Sequence, residues 1–196
     1  MHFRLRKNII MDSNSFDDRD GHIWYDGKMG HWRDADVHVL THGLHYASCV
    51  FEGERSYNGN IFKLREHTDR LLKSASILGF EIPYPADDID AACNEVCKVN
   101  CIVDGYVRPI AWRGSEMMGV SAQQNTIHLA IAAWPWPSYF SPEARMKGIR
   151  LKTSEWRRPA PETAPTDSKA AGLYMICTMS KHAAEAESYD DALMLD

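Results

Sequence analysis

With 196 residues, a net charge of −5, and 44% hydrophobic and 25% charged content, the chain has the make-up of one large or two small folded domains. The acidic balance leaves no basic footprint for nucleic acid and no polybasic signal for a membrane surface. No apolar run approaches the roughly 20 residues that a bilayer span needs, and the N-terminal stretch offers only Ile9, Ile10 and Met11, too short for a secretory signal. A cytoplasmic protein is expected, with Met11 an alternative start and residues 1–20 a flexible N-terminal extension. The five cysteines are an odd number, which argues for reduced thiols.

In chain order, two hairpins are expected first. Asp26-Gly27 and Asn58-Gly59 each lie between short apolar runs, and both dipeptides suit the left-handed positions of a type I′ turn. Leu71, Leu72, Ala75 and Leu78 mark one face of a helix over 65–78, with Gly79 as its stop. A second helix is expected over 87–99. On it Cys93, Cys97 and Cys101 would share a face, but their spacing matches neither paired zinc ligands nor iron–sulfur patterns. Small buried residues explain them better. His38, His42 and His45 lack the carboxylate or cysteine that would complete a ligand set, so no metal is expected.

Strands follow over 105–112 and 126–134, giving an α+β domain at 21–136 with helices packed on an antiparallel sheet. Pro135, Pro137 and Pro142 mark an interdomain linker, placed at 137–148. A second unit, 149–196, opens with a strand over 149–156, passes through a proline-rich irregular stretch, and continues in a helix capped by Ser168 and running to about residue 188. A short strand over 192–195 ends it. One strand, one helix and another strand do not close a core, so the unit reads as the beginning of a larger domain.

The segment TDSKAAGLY (166–174) carries the sharpest chemical signal. A lysine just after a helix cap lies near N-terminal dipoles that disfavour an ammonium and favour the neutral amine a Schiff base needs. The small residues Ala170, Ala171 and Gly172 leave room for a flat ring. By itself, however, Lys169 reads better as a surface lysine in a first helical turn.

HGLHYASCVFEGERSY (42–57), REHTDRL (65–71), YVRPIAWRG (106–114), AAWPWPSY (132–139) and SKAAGLY (168–174) occur in this order. Together they resemble the fold-type IV pyridoxal enzymes, specifically branched-chain amino acid aminotransferases of the bacterial type. The resemblance implies a fold-type IV aminotransferase-like architecture, with a small N-terminal α/β domain followed by the start of a larger C-terminal domain. It implies pyridoxal 5′-phosphate as cofactor and transfer of the amino group of leucine, isoleucine or valine to 2-oxoglutarate. A homodimer or higher homo-oligomer is expected with it, and no nucleic-acid or membrane partner.

The resemblance also assigns roles. Lys169 matches the lysine that forms the Schiff base and moves the substrate α-proton, Tyr174 the tyrosine on the cofactor's phenolic oxygen, and Arg70 the arginine on its phosphate. Arg70 otherwise reads as a solvated helix arginine paired with Glu66. For substrate, the match points to Phe51, Tyr106, Arg108, Trp136 and Tyr139, with Tyr46 and Val120 reaching in from a partner subunit. Aromatic walls suit branched aliphatic side chains, and Arg108 suits the distal carboxylate of glutamate.

Two departures stand out: Leu173 where the family usually has Asn, and Ala47 where it usually has Gly. The family's acidic partner for the pyridine nitrogen and the rest of the phosphate site are expected beyond residue 196, which marks the chain as a truncated one. The alternatives are a D-amino acid aminotransferase or aminodeoxychorismate lyase of the same fold, or a catalytically incomplete fragment.

Overall fold

The structure, a computed structural model, describes residues 15–136 and 142–196. Both hairpin turns form as their dipeptides dictate: Asp26 and Gly27 have φ of 46° and 89°, Asn58 and Gly59 of 50° and 76°. They join β1 (His22–Tyr25) to β2 (Lys28–His31) and β4 (Glu54–Tyr57) to β5 (Asn60–Ile61). β5 is short because Lys63, at φ 58°, turns the chain left-handed into α2 (Leu64–Ile77), the next helix after the five-residue α1 (His42–Tyr46). Two long strands, β6 (Gly105–Arg113) and β7 (Ile127–Pro135), pair along their whole length. β3 (Cys49–Phe51) and β4 share the other edge of β6, giving a seven-stranded antiparallel sheet of order β2-β1-β7-β6-β4-β5 with β3 beside β6. The two-residue break between β3 and β4, at Glu52 and Gly53, stands opposite Arg108 and Pro109. Pro109 has no N–H for a ladder bond but still accepts one from Glu52 N at 2.8 Å.

α2 and α3 (Ala86–Val99) cover one face of this sheet, as an α+β fold requires. Leu71, Ala75, Ile89 and Val96 pack against Val107, Leu129 and Ile131. Full burial of a side chain of this size contributes about 1.5–3 kcal/mol. Cys93 and Cys97 sit in that core, and burial pushes the Cys97 thiol up to about 11 and Cys93 well above its ordinary range. Cys101 does not share their face: α3 ends at Val99, and Cys101 follows at φ 55° with an exposed side chain.

The opposite face alternates with the first. Tyr106, Arg108, Ile110 and Trp112 project from β6 across from Trp134, Ala132, Ala130 and His128 of β7. Residues from 15 onward, assigned by sequence to a flexible extension, lie against this part of the sheet. Trp32 Nε1 donates to Phe16 O at 2.6 Å, and the Phe16 ring meets Trp134 and Trp136 at 5.4 and 6.1 Å.

Past the sheet comes a short helix that the proline pattern did not suggest, α4 (Pro142–Lys147). β8 (Leu151–Thr153) then pairs in parallel with β9 (Asp191–Leu193), with α5 (Met175–Ala186) between them in sequence. Both strands are shorter than expected. The helix also begins later than the Ser168 cap implied: Ala170 is extended, a 3-10 turn covers Ala171–Tyr174, and only then does α5 start. No helix among the described residues is long and apolar enough to cross a membrane.

Candidate active site

The late start of α5 has a local cause. The Ser168 hydroxyl and the Lys169 backbone are committed to α2 and β3 instead of to a helix of their own. Ser168 Oγ donates to Ser74 O and Lys169 N–H donates to Ser74 Oγ, both at 3.0 Å, so one buried serine of α2 holds two consecutive residues. Phe51 N donates to Lys169 O at 3.3 Å, and Ala170 bridges to Val50 of β3. The segment is therefore an extra strand-like strip on β3. The helix-dipole argument for Lys169 falls, because no helix begins there.

From this strip the Lys169 side chain reaches Tyr174, with Nζ donating to the phenolic oxygen at 2.6 Å. The two rings that flank the amine belong to Tyr174 and Phe51, at 5.0 and 4.9 Å from Nζ, and they meet edge-on at 4.8 Å. The Arg108 guanidinium lies 4.5 Å from the centre of the Phe51 ring and donates to Tyr106 Oη at 2.9 Å. Tyr106 continues the wall to Trp136 at 6.3 Å. Gly53 is needed here, since a Cβ on it would lie 2.0 Å from Tyr106 Oη. Lys169, Tyr174, Phe51, Arg108, Tyr106 and Trp136 thus form one contiguous surface, although they come from four separate stretches of sequence.

Arg70 joins at the other side. With Arg158, Thr166, Asp167, Ser168, Lys169 and Tyr174 it lines a cleft of about 190 Å³. Its expected pairing with Glu66 does not form: Glu66 pairs with Lys63 at 2.5 Å. Arg70 instead grips Glu52 with two bonds, Nε to Oε1 at 2.6 Å and Nη2 to Oε2 at 2.7 Å. A second cleft of about 290 Å³ opens across Lys169 and Tyr174 toward Leu173, Cys177 and Met194. A larger apolar cleft of about 400 Å³ lies along the same sheet face beside Arg108, but Lys169 takes no part in its walls. There burial pushes the Cys49 thiol up to about 12, which removes it as a nucleophile near neutral pH.

Tyr46 and Val120 stand outside this surface. Tyr46 is exposed and stacks on His42 at 4.5 Å, and Val120 is 87% exposed. Tyr139 lies outside the described residues. One ring nitrogen of each of the three clustered histidines meets backbone: His42 Nε2 meets Gly119 O at 2.8 Å, His45 Nε2 meets Val39 O at 2.9 Å, and His38 Nδ1 accepts from Leu40 N at 3.1 Å. Sequence reasoning passed over Glu52, Ser74 and Arg158. Glu52 lay inside a motif already singled out, as a charge between Phe51 and Gly53 in an apolar run. Nothing marked Arg158 or Ser74.

Residues 49–196 match the family model described as Amino-transferase class IV. The chain belongs to the class IV aminotransferases. Among its relatives, a probable branched-chain-amino-acid aminotransferase of Rickettsia felis is 45% identical over 175 residues, covering 89% of this chain and 59% of that protein. The branched-chain-amino-acid aminotransferase of Pseudomonas aeruginosa is 42% identical over 186 residues, covering 93% and 61%. In structure this class IV chain superposes on the branched-chain amino acid aminotransferase of Escherichia coli with a TM-score of 0.86 at 37% identity, covering 91% of this chain and 60% of the other. A further branched-chain amino acid aminotransferase, solved with pyridoxamine 5′-phosphate, gives a TM-score of 0.86 at 38% identity over the same shares. This class IV chain therefore spans about 60% of the length of such relatives, and the fold-type IV architecture expected from its motifs is the one it adopts. Ala47 takes a left-handed φ of 53°, which explains the glycine usual there. Its Cβ lies 2.9 Å from where a Cβ on Gly172 would be, so position 172 has to stay small.

Proposed function

We propose that this chain carries the lysine-bearing part of a branched-chain aminotransferase site that uses pyridoxal 5′-phosphate, with Lys169 as the catalytic amine. The observation that carries this reading is the Lys169 Nζ–Tyr174 Oη bond of 2.6 Å at the mouth of a cleft that also holds Arg70 and Arg158. That donor set fits the cofactor: two guanidiniums suit a phosphate dianion, an amine suits an aldehyde carbon, and a tyrosine hydroxyl beside the amine suits a phenolic oxygen. The family match and the relatives named for branched-chain amino acids support the same reading.

When bound, the cofactor supplies the electron sink that stabilises negative charge at the substrate α-carbon. The residues of this chain do the rest. Lys169 Nζ takes and returns the proton at that carbon, and Tyr174 Oη, in contact with Nζ, fixes where the amine points. Arg70 and Arg158 hold the phosphate. Phe51, Tyr106, Trp136 and Tyr139 wall the side-chain pocket, and Arg108 takes the distal carboxylate of glutamate or 2-oxoglutarate in the alternate half-reaction. Exposed Tyr46 and Val120 complete the pocket of a second copy in a homodimer. The free state of all five cysteines supports a cytoplasmic location.

A complete version of the enzyme, extended to the length of its relatives and given cofactor, is tested for amino transfer from L-leucine, L-isoleucine and L-valine to 2-oxoglutarate. Transfer from these donors is the expected result. Preference for D-alanine, or release of pyruvate from aminodeoxychorismate, would move the assignment to those enzymes of the same fold.

A further inference from the structure

Glu52 is unusual for a carboxylate. It is fully buried, in the break between β3 and β4, yet four donor groups of this chain converge on it. Arg70 gives Nε and Nη2, His67 Nδ1 donates to Oε2 at 2.9 Å, and Gly53 N–H reaches Oε2 at 3.3 Å. Burial pushes this carboxyl up, but the bonds from Arg70 and His67 outweigh it and hold it below the usual glutamate range. Glu52 is therefore ionised near neutrality, and Arg70 is held cationic against it.

The pair is asymmetric. Glu52 is sealed, while the Arg70 side chain is 52% exposed and lines the cleft shared with Lys169 and Arg158. The bidentate grip occupies the Nε–Nη2 edge of the guanidinium. Nη1 has no protein partner among the described residues. A buried ion pair is a poor device for stability alone, because desolvation offsets most of its Coulombic gain. It is a good device for orientation, since a planar fork bound along one edge has its remaining edge aimed.

We propose that Glu52 is a positioning residue, which holds Arg70 by one edge so that the other is presented to the phosphate of the cofactor without reorganisation. The inference rests on the proposed function and adds to it a buried residue behind the phosphate contact.

Two probes that differ only in the phosphate separate this role from a merely structural one. Absorbance titrations of wild type and Glu52→Gln are run with pyridoxal 5′-phosphate and with pyridoxal, which has no phosphate. Glu52→Gln should weaken pyridoxal 5′-phosphate by about ten-fold or more, the loss expected when a charge-assisted bond is misplaced. Pyridoxal affinity should be unchanged, because Lys169 and Tyr174 are untouched. If Glu52→Gln does not fold, judged by its melting curve, Glu52→Asp keeps the charge but withdraws it by one methylene and should show the same selective loss more weakly. Equal weakening of both probes would make Glu52 structural and overturn the inference, with the proposed function intact. A wild type that binds neither probe would overturn the proposed function and the inference with it.

Discussion

Two residues past Glu52, Glu54 faces the same helices with no compensation. It is 1% exposed, and neither carboxyl oxygen has a partner among the described residues. Burial first, then the charges of Glu52 and Asp90, push it up from 4.5 to about 8. Cys93 and Cys97 of α3 lie close enough to feel its charge. The carboxyl is thus protonated in the folded state near neutrality and ionised in the unfolded chain.

A folded pKa raised above the unfolded one means the native state holds the extra proton, so stability falls as pH rises from about 4.5 to about 8. Each pKa unit is worth about 1.4 kcal/mol, so the penalty is near zero at about pH 4, about 3 kcal/mol at about pH 7, and level above about pH 8. Glu54→Gln removes the titration while keeping the shape. Urea unfolding of both proteins between about pH 5 and about pH 9 should therefore show the variant gaining on wild type as pH rises. A difference that stays flat across that range, or a variant that loses ground at high pH, would refute the reasoning.

Two further predictions concern the candidate site. Arg108→Ala should raise KM for glutamate and 2-oxoglutarate by roughly 10- to 100-fold while changing leucine little, since only the former carry a distal carboxylate for a bond worth about 1.5–3 kcal/mol; equal losses for both would make Arg108 a structural support for Phe51 and Tyr106. Ser74→Ala removes the hydroxyl that accepts from Lys169 N–H and leaves the carbonyl that accepts from Ser168, and hydrogen exchange at Lys169 should accelerate by about five-fold or more, as expected for losing a bond worth about 1 kcal/mol; unchanged exchange would mean that β3 and the Ser168 bond hold the strip.

Much of the sheet domain was legible in the sequence because its signals are local. Asp-Gly and Asn-Gly dictate their turns without help from the rest of the chain, and the apolar spacing of α2 and α3 sets their buried faces. The register of β3, β4 and β6 was not legible. It depends on Pro109 lacking a donor opposite two particular residues, which is a fact about pairing across more than 50 positions. The Lys169 segment misled for a related reason. Ser168 looks like a helix cap, but its hydroxyl is taken by Ser74, 94 residues earlier, and a tertiary bond displaced the local one. Lys169, Tyr174, Phe51 and Arg108 were singled out through motif resemblance and not through spacing. Glu52 and Arg158 show what motif reading omits: residues whose contacts are with another side chain, or that lie in irregular, proline-rich stretches.

The central claim is that Lys169 is the amine that takes the cofactor. Its most direct test is borohydride reduction of the protein mixed with pyridoxal 5′-phosphate, followed by mass mapping of the peptides. The account predicts one phosphopyridoxyl group, on the peptide containing Lys169, and none in Lys169→Ala. A label carried by another lysine, or retained in Lys169→Ala, would contradict it.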